Sequence, residues 1–279
     1  MTTISTPQIM GILNINTDSF YQGSRFTKET DIAHAIENMI ESGADIIDIG
    51  ACSTRPGSTP ISAQMEWDSL KVAIKVIGEE KFNKSVKISI DTFRSSIVSK
   101  IYDCIGEFIV NDISAGEDDP DMLQSVGKLG LPYIAMHKRG NPQTMSSLTE
   151  YPNGVVNEVI EYFKEFDKKA THFGISNYII DPGFGFAKTL EQNYELFNGL
   201  PALKKEIEKF CGKKRDILVG TSRKSMIYKP LNILPDDSLE ATTALNLQAL
   251  MLGANILRVH DVAAAKQCCT LHKLLCTNK

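Results

Sequence analysis

Several polar residues in this sequence stand directly after short apolar runs and could bind a flat heterocycle. Asp91, Asn111 and Asp181 each end such a run, and all three carry hydrogen-bond acceptors. A carboxylate can accept two parallel N–H bonds from an amidine-like edge, such as that of a 2-aminopyrimidinone. Asp181 opens the glycine-rich segment 181–188, and an alternative role for it is to accept the backbone N–H groups of that loop.

A second set of residues could bind an anion. Residues 221–224 read Thr-Ser-Arg-Lys, and Arg258 and His260 flank the end of a later apolar run. Their hydroxyl, guanidinium, ammonium and imidazole groups can donate hydrogen bonds to phosphate oxygens. One ligand with a fused heterocycle at one end and a phosphate or diphosphate at the other would use both sets.

Eight short apolar runs indicate the elements that position these residues. Most are rich in Ile and Val without alternation, which is typical of parallel strands covered on both faces. Between them, residues such as Ile32, Ile36 and Met39 recur at helical spacing. This order predicts an α/β protein, a single-domain (β/α)₈ TIM barrel. A doubly wound open sheet is the alternative, because periodicity does not show closure. The runs are 9–13, 45–49, 86–90, 108–110, 131–136, 178–180, 217–219 and 255–259.

A polar residue stands at the C-terminal end of every predicted strand, which is where barrel enzymes build their active sites. Individually, each has a structural alternative: Asp48 could brace a loop, Asp112 could cap a helix, and His137 could be satisfied within the core. Eight such residues at one rim predict a pocket. In chain order they are Asn14, Asp48, Asp91, Asn111 with Asp112, His137, Asp181, Ser222 with Arg223 and Lys224, and Arg258 with His260.

Composition excludes several classes of protein. The 279 residues are 42% hydrophobic and 23% charged, with a net charge of −4, as in a soluble enzyme and unlike a general nucleic-acid or acidic-membrane binder. No charge run divides the chain, so we expect one domain over residues 1–279. No signal pattern or membrane span is evident, and the six cysteines lack metal or CxxC spacing, which favours free thiols in the cytoplasm. His137 has no assignable Ser or Cys partner, which disfavours a hydrolase.

Eight motifs in order make the sequence resemble the dihydropteroate synthase family over nearly its whole length. The longest are Gly-Ile-Leu-Asn-Ile-Asn-Thr-Asp-Ser-Phe at 11–20, Asp-Ile-Gly-Ala-Cys-Ser-Thr-Arg-Pro-Gly at 48–57 and Asp-Pro-Gly-Phe-Gly-Phe at 181–186. Shorter matches stand at 90–92, 110–112, 135–137, 221–225 and 258–262.

The resemblance implies a fold, an activity and partners. The family is a (β/α)₈ barrel, usually a homodimer, and is the sulfonamide target of folate biosynthesis. It is a transferase that joins a dihydropterin diphosphate to 4-aminobenzoate by SN1-like loss of diphosphate, with Mg²⁺ as cofactor. These small molecules would be its ligands, with no nucleic acid and no membrane.

The resemblance also implies residue roles, with Asp91, Asp181, Lys224 and Arg258 as the catalytic set. The pterin would be held by Asp91, Asn111, Asp181 and Lys224, with Met136 and Arg258 against its faces. The diphosphate would meet Asn14, Ser222, Arg258 and His260, with Mg²⁺ at Asn14. The 4-aminobenzoate site would involve Phe20, Thr54, Arg55, Pro56, Phe186 and Ser225. We expect Gly183 and Gly185 to turn the backbone and Lys188 to belong to the solvated start of the next helix.

The sequence departs from the family pattern at a few positions, and two other functions compete with the synthase, one of an enzyme and one of a non-enzymatic protein. Gln22 replaces an aspartate, Cys52 a frequent glutamate and Ala187 a common glycine. A methyltetrahydrofolate methyltransferase domain shares the Asp and Asn pterin site but has no diphosphate to bind. A non-enzymatic pterin-binding protein would not need the cationic set, so the residues around Arg258 favour the synthase.

Overall fold

The computed structural model describes residues 6–15, 29–52, 57–59, 61–80 and 86–277. Predicted site residues Phe20, Thr54, Arg55 and Pro56, together with Gln22, lie outside these residues.

Eight parallel strands form the barrel, in the order β6-β5-β4-β3-β2-β1-β8-β7. A parallel bridge between Ile180 and Ile217 joins β6 to β7 and brings the sheet to near closure, which confirms the predicted TIM barrel over the open sheet. All eight predicted strands are present, with bounds moved by one or two residues. They are β1 Gln8–Asn14, β2 Ile46–Gly50, β3 Lys87–Asp91, β4 Ile109–Asp112, β5 Tyr133–Met136, β6 Tyr178–Asp181, β7 Leu218–Val219 and β8 Ile256–Val259.

Helices surround the sheet and cover its outer face. The described part of the chain contains α1 Glu29–Glu41, α2 Ala63–Glu80, α3 Ser95–Ile105, α4 Met122–Leu129, α5 Val155–His172, α6 Leu190–Asn198, α7 Leu200–Cys211, α8 Ser225–Leu231, α9 Leu239–Met251 and α10 Val262–Thr277. Across the described ranges, none of these helices combines the length and apolarity that a membrane span requires.

Alternation along each strand divides the core into two clusters. Residues such as Ile47, Ile49 and Ile88 face the helices and form the larger cluster. Their neighbours face the barrel axis, where a smaller cluster fills the end at which the strands begin. Its buried members are Met10, Ile46, Ile109, Ile134, Leu218 and Ile256. The same inward rows continue into polar residues at the other end of the strands.

Helix α4 approaches the end of α5 closely at Gly127, so we expect Gly127→Ala to destabilise the fold. A Cβ there would stand 1.9 Å from the carbonyl oxygen of Phe173. The alanine gains roughly 0.5–1 kcal/mol of helix propensity, but overpacking against backbone typically costs about 1–3 kcal/mol. Urea unfolding should therefore give a lower free energy of unfolding.

The matched control is Gly78→Ala in α2, where nothing lies within 4 Å of the added Cβ. This exposed helical position should show only the propensity gain. Equal stabilisation by both substitutions would contradict the close approach of α4 and α5.

Candidate active site

The inward rows of the strands bring most of the predicted rim residues together at one end of the barrel. Asp48 lies two residues after Ile46 on β2, and Asp91 lies two residues after Ser89 on β3, so both side chains face the barrel axis. Asn111, Asp181 and Arg258 continue the inward rows of Ile109, Ile179 and Ile256 in the same way. Asn14 and Met136 occupy equivalent positions on β1 and β5.

Asp112 and His137 have the opposite parity, and the structure assigns them structural roles. Asp112 accepts hydrogen bonds from Ser114, Gly116 and the Tyr133 hydroxyl, so it braces the loop after β4 and does not cap a helix. The side chain of His137 is buried, with the ring of Tyr162 packed edge-on 4.9 Å away. The core alternative considered for His137 is therefore correct.

The guanidinium of Arg258 joins two carboxylates at the centre of the rim. Its Nε donates to Asp48 Oδ2 at 2.7 Å, and an Nη donates to Asp91 Oδ2 at 2.8 Å. Asp48 is 1% exposed and also accepts from Ser89 Oγ at 2.7 Å and from Asn111 Nδ2 at 3.0 Å. Asp48 thus fixes both a cation and an amide of the predicted site.

This ion pair also joins the two sets that the sequence separates into heterocycle-binding and anion-binding residues. Arg258 belongs to the second set but lies against carboxylates of the first. Through these hydrogen bonds the two sets meet at the C-terminal ends of the strands. A loop brace was the structural alternative considered for Asp48, and its contact with Arg258 is the main site feature missing from the sequence interpretation.

Burial shifts the pKa values of the carboxylates at this surface. Removal from water raises the pKa of Asp91 to about 7, with the Arg258 charge acting in the opposite direction. Burial also raises the pKa of Asp181, against the opposing effect of the Lys224 ammonium. Both groups therefore titrate closer to neutral pH than an exposed aspartate does.

Asp181 makes the loop-capping contact that was the alternative to heterocycle binding, and it also lies among the predicted site residues. Its Oδ1 accepts the backbone N–H of Gly183 at 2.8 Å, which is the expected loop-capping contact. It is 7% exposed at the inward end of β6, where the charge of Lys224 opposes the effect of burial on its pKa. Capping the loop thus leaves a carboxylate oriented within the cluster of site residues.

Lys224 is held between the same loop and the carboxylates. Its Nζ donates to the carbonyl oxygen of Phe184 at 2.6 Å and lies 5.1 Å from the centre of the Phe186 ring. Burial lowers the pKa of Lys224 to about 8, with Asp181 opposing the shift. An ammonium group therefore faces the heterocycle-binding carboxylates.

The expectation for Lys188 is wrong. Helix α6 begins at Leu190 with Thr189 as its N-cap, in a capping box with Gln192, so Lys188 precedes the helix. Its half-buried ammonium contacts His137 Nδ1 and the carbonyl oxygens of Gly183 and Phe186. The inward turn of this side chain depends on tertiary contacts that helical periodicity does not show.

The loops after β7 and β8 are interlocked. Ser222 Oγ lies 3.0 Å from His260 Nδ1 and accepts the backbone N–H of His260 at 3.3 Å. Arg223, at a φ of 56°, donates to Asp261 at 3.0 Å and to Asp236 at 2.8 Å. The Ser222 hydroxyl and the His260 imidazole therefore stand beside Lys224 and Arg258 in the chain. Helix α8 begins directly after Lys224, at Ser225.

The described residues hold no carboxylate-rich metal cage. No group of three or more His, Cys, Asp or Glu side chains with metal-binding geometry occurs in the part of the chain that the structure describes. Asn14 is exposed at the end of β1 and offers an amide oxygen to solvent. Mg²⁺ commonly takes one or two protein oxygens with substrate phosphates and water, so Asn14 fits a substrate-carried ion.

Cys52 is half-buried, and burial raises the pKa of its thiol.

Comparison with known proteins assigns this geometry to a family. Residues 10–260 match the model of the pterin binding enzyme family. The chain is 39% identical over 264 residues to the dihydropteroate synthase of Synechocystis sp., covering 94% of this chain and 87% of that protein. The chain belongs to the dihydropteroate synthase family. It is an enzyme of the transferase class, and its family functions in folate biosynthesis.

Two solved structures show the same architecture. The dihydropteroate synthase from Clostridium difficile, crystallised in the presence of pteroic acid, superposes with a TM-score of 0.86 at 31% identity, over 99% of each chain. The Xanthomonas albilineans enzyme with 4-aminobenzoic acid gives a TM-score of 0.82 at 34% identity, over 96% of this chain and 93% of that chain.

Proposed function

We propose that this chain condenses (7,8-dihydropterin-6-yl)methyl diphosphate with 4-aminobenzoate to give 7,8-dihydropteroate and diphosphate. The observation that carries this proposal is the pairing of Arg258 with Asp48 and Asp91 beside Lys224 and Asp181. Carboxylates for a heterocycle and cations for a leaving anion then share one surface. Related enzymes with pteroic acid and with 4-aminobenzoic acid support the same small-molecule substrates here.

In this proposal the pterin binds at the inward ends of β3, β4 and β6. Asp91 and Asp181 accept its ring N–H groups, and Asn111, held by Asp48, completes the edge recognition. Lys224 donates to an acceptor on the ring. Met136, buried on β5 beside Asp181, packs against one face of the ring and Arg258 against the other.

Charge separation during diphosphate loss explains why cations and carboxylates stand together. Breaking the C–O bond leaves a positive charge on the exocyclic methylene that is delocalised into the pterin ring. Asp91 and Asp181 stabilise that charge, while Arg258, His260 and Ser222 stabilise the departing diphosphate. Mg²⁺, when bound with the substrate at Asn14, would neutralise diphosphate charge. The neutral amine of 4-aminobenzoate then attacks the methylene and loses its proton, with no covalent enzyme intermediate.

We propose that 4-aminobenzoate enters beside Phe186 and Ser225. Phe186 is half-buried next to Lys224, and Ser225 is the first residue of α8. Phe20, Thr54, Arg55 and Pro56 would complete this site by the family resemblance.

We further propose that residues 1–279 form a single domain and that the chain forms a homodimer through its last helices. Exposed large apolar side chains on this part of the surface support the choice of a second copy as partner, because such patches mark interfaces. They are Leu231, Leu234, Leu239, Met251, Leu271, Leu274 and Leu275.

Diphosphate release followed with and without 4-aminobenzoate tests the reaction. We expect amine-dependent formation of dihydropteroate in the presence of Mg²⁺, and a loss of at least about a hundredfold in Asp181→Asn, since a charge-assisted hydrogen bond to the ring is removed where charge develops. Asp103→Asn, on the exposed face of α3, is the matched control and should retain wild-type turnover. Diphosphate release with no dihydropteroate, or full activity in Asp181→Asn, would contradict the proposal.

Pterin affinity should rise between pH 5.5 and 7.5. The pKa of Asp91 is raised to about 7, so lowering the pH through this range protonates the carboxylate that would accept two ring N–H bonds. Asp181, also shifted upwards, acts in the same direction. Below the pKa, the ionised fraction falls about tenfold per pH unit. Calorimetric titration with a bare pterin measures this effect, and an affinity that stays constant over the range would contradict ionised Asp91 as the acceptor.

A further inference from the structure

The loop from residue 182 to 189, which joins β6 to α6, has a strained conformation. Gly183, Gly185 and Ala187 all have positive φ angles, of 72°, 81° and 50°. For an alanine, the left-handed conformation costs roughly 1–2 kcal/mol. Gly183 also packs directly on the end of β5, since a Cβ there would stand 1.9 Å from the carbonyl oxygen of His137. Side-chain contacts must hold this shape.

Lys188 supplies such contacts from the inner side of the loop. Its Nζ lies 2.9 Å from the carbonyl oxygen of Gly183, 3.0 Å from that of Phe186 and 3.0 Å from His137 Nδ1. An ammonium group has three hydrogens and here meets three acceptors. Burial keeps the pKa of His137 well below its usual value, so the imidazole is neutral and can accept at Nδ1.

The outer side of the loop is held by neutral groups. The Tyr151 hydroxyl donates to the carbonyl oxygen of Ala187 at 3.0 Å, and the backbone N–H of Gly185 donates to Asn193 Oδ1 at 2.7 Å. Lys188 therefore differs from these contacts in two ways: it spans both ends of the turn, at Gly183 and Phe186, and it ties the turn to β5.

The loop that Lys188 shapes carries two elements of the site. The carbonyl oxygen of Phe184 accepts the Lys224 ammonium at 2.6 Å, and the Phe186 ring lies beside that ammonium. If residues 183–186 relax, the Lys224 ammonium loses its backbone acceptor and Phe186 loses its orientation. None of the three Lys188 contacts needs the substrate, so the arrangement exists before binding.

We propose that Lys188 is a positioning residue, which holds the 183–187 turn so that Phe186 is prearranged for the second substrate and Lys224 for the pterin. This inference rests on the proposed function for its kinetic consequence, but the effect on the loop itself is independent of any activity. Ala187 makes the contact more important in this chain than it would be with glycine at that position, because the strained residue directly precedes the lysine.

Lys188→Met tests this inference, since methionine fills a similar volume and removes all three donors. We expect the KM for 4-aminobenzoate to rise about tenfold or more, the effect of losing a charge-assisted hydrogen bond. The affinity for a bare pterin should fall less, because Asp91 and Asn111, which would hold the ring together with Asp181 and Lys224, lie on other strands. A general structural role would affect both ligands alike.

A matched control and a rescue variant sharpen the test. Lys204 is also half-buried and also donates to a backbone carbonyl, that of Gly253 at 2.8 Å, but lies on α7 away from the site. Lys204→Met should therefore keep wild-type kinetics. Adding Ala187→Gly to Lys188→Met should recover part of the lost affinity for 4-aminobenzoate, since glycine adopts the positive φ without strain.

Hydrogen exchange separates this inference from the proposed function. Backbone amides of residues 183–187 should exchange at least about tenfold faster in Lys188→Met than in wild type. In Lys204→Met, their exchange rates should equal those of the wild type. Absence of dihydropteroate formation by the wild-type protein would refute the proposed function alone. Unchanged exchange in Lys188→Met, or wild-type kinetics in an active Lys188→Met enzyme, would overturn the positioning role. If Lys188→Met does not fold, Lys188→Gln replaces it, since glutamine keeps two donors. This variant should show the same effects in weaker form. Hydrogen exchange at the wild-type rate in Lys188→Gln would overturn the inference.

Discussion

The ion pair of Arg258 with Asp48 and Asp91 is the interaction on which the rest of the site depends. A buried guanidinium or carboxylate is costly unless it is paired and hydrogen-bonded. Here Asp48 receives Arg258, Ser89 and Asn111 together, so its acceptors are used by three different strands. The result is a fixed position for Arg258, which belongs to the predicted anion-binding set but lies against carboxylates at the strand ends where the predicted heterocycle-binding set stands.

The barrel makes this pairing possible. Asp48 and Arg258 are 210 residues apart in the chain, but β2 and β8 both pair with β1. Their inward rows therefore meet at the same height on the barrel axis. Apolar residues fill the end of the barrel where the strands begin, and polar residues fill the opposite end. The residues that stabilise the barrel interior and the residues of the candidate site therefore lie at opposite ends of the barrel axis. Burial at this end also raises the pKa of Asp91 towards neutrality.

Strands and rim residues could be predicted from the sequence because both depend on local patterns. Short apolar runs gave the eight strands, and the first polar residue after each run gave the rim. Partners could not be predicted in this way. Asp48 was placed at the rim, but its cation lies on the last strand and no local pattern shows that pairing. Lys188 was expected at the solvated start of a helix, because its contacts with its own loop and with His137 after β5 form only in the folded protein. The structural alternative for His137 is correct, whereas Asp112 braces the loop after β4 and does not cap a helix. The outward parity of both side chains explains why they have structural roles.

Pterin affinity in Asp48→Asn tests the central claim most directly, because asparagine keeps the shape of the side chain and removes the charge that holds Arg258. We predict that calorimetry will show pterin binding about tenfold to a hundredfold weaker, as expected for the loss of a charge-assisted contact of roughly 1.5–3 kcal/mol. Ser89→Ala, which removes only a neutral donor to the same carboxylate, should have a much smaller effect. Wild-type affinity in a folded Asp48→Asn protein would contradict the account.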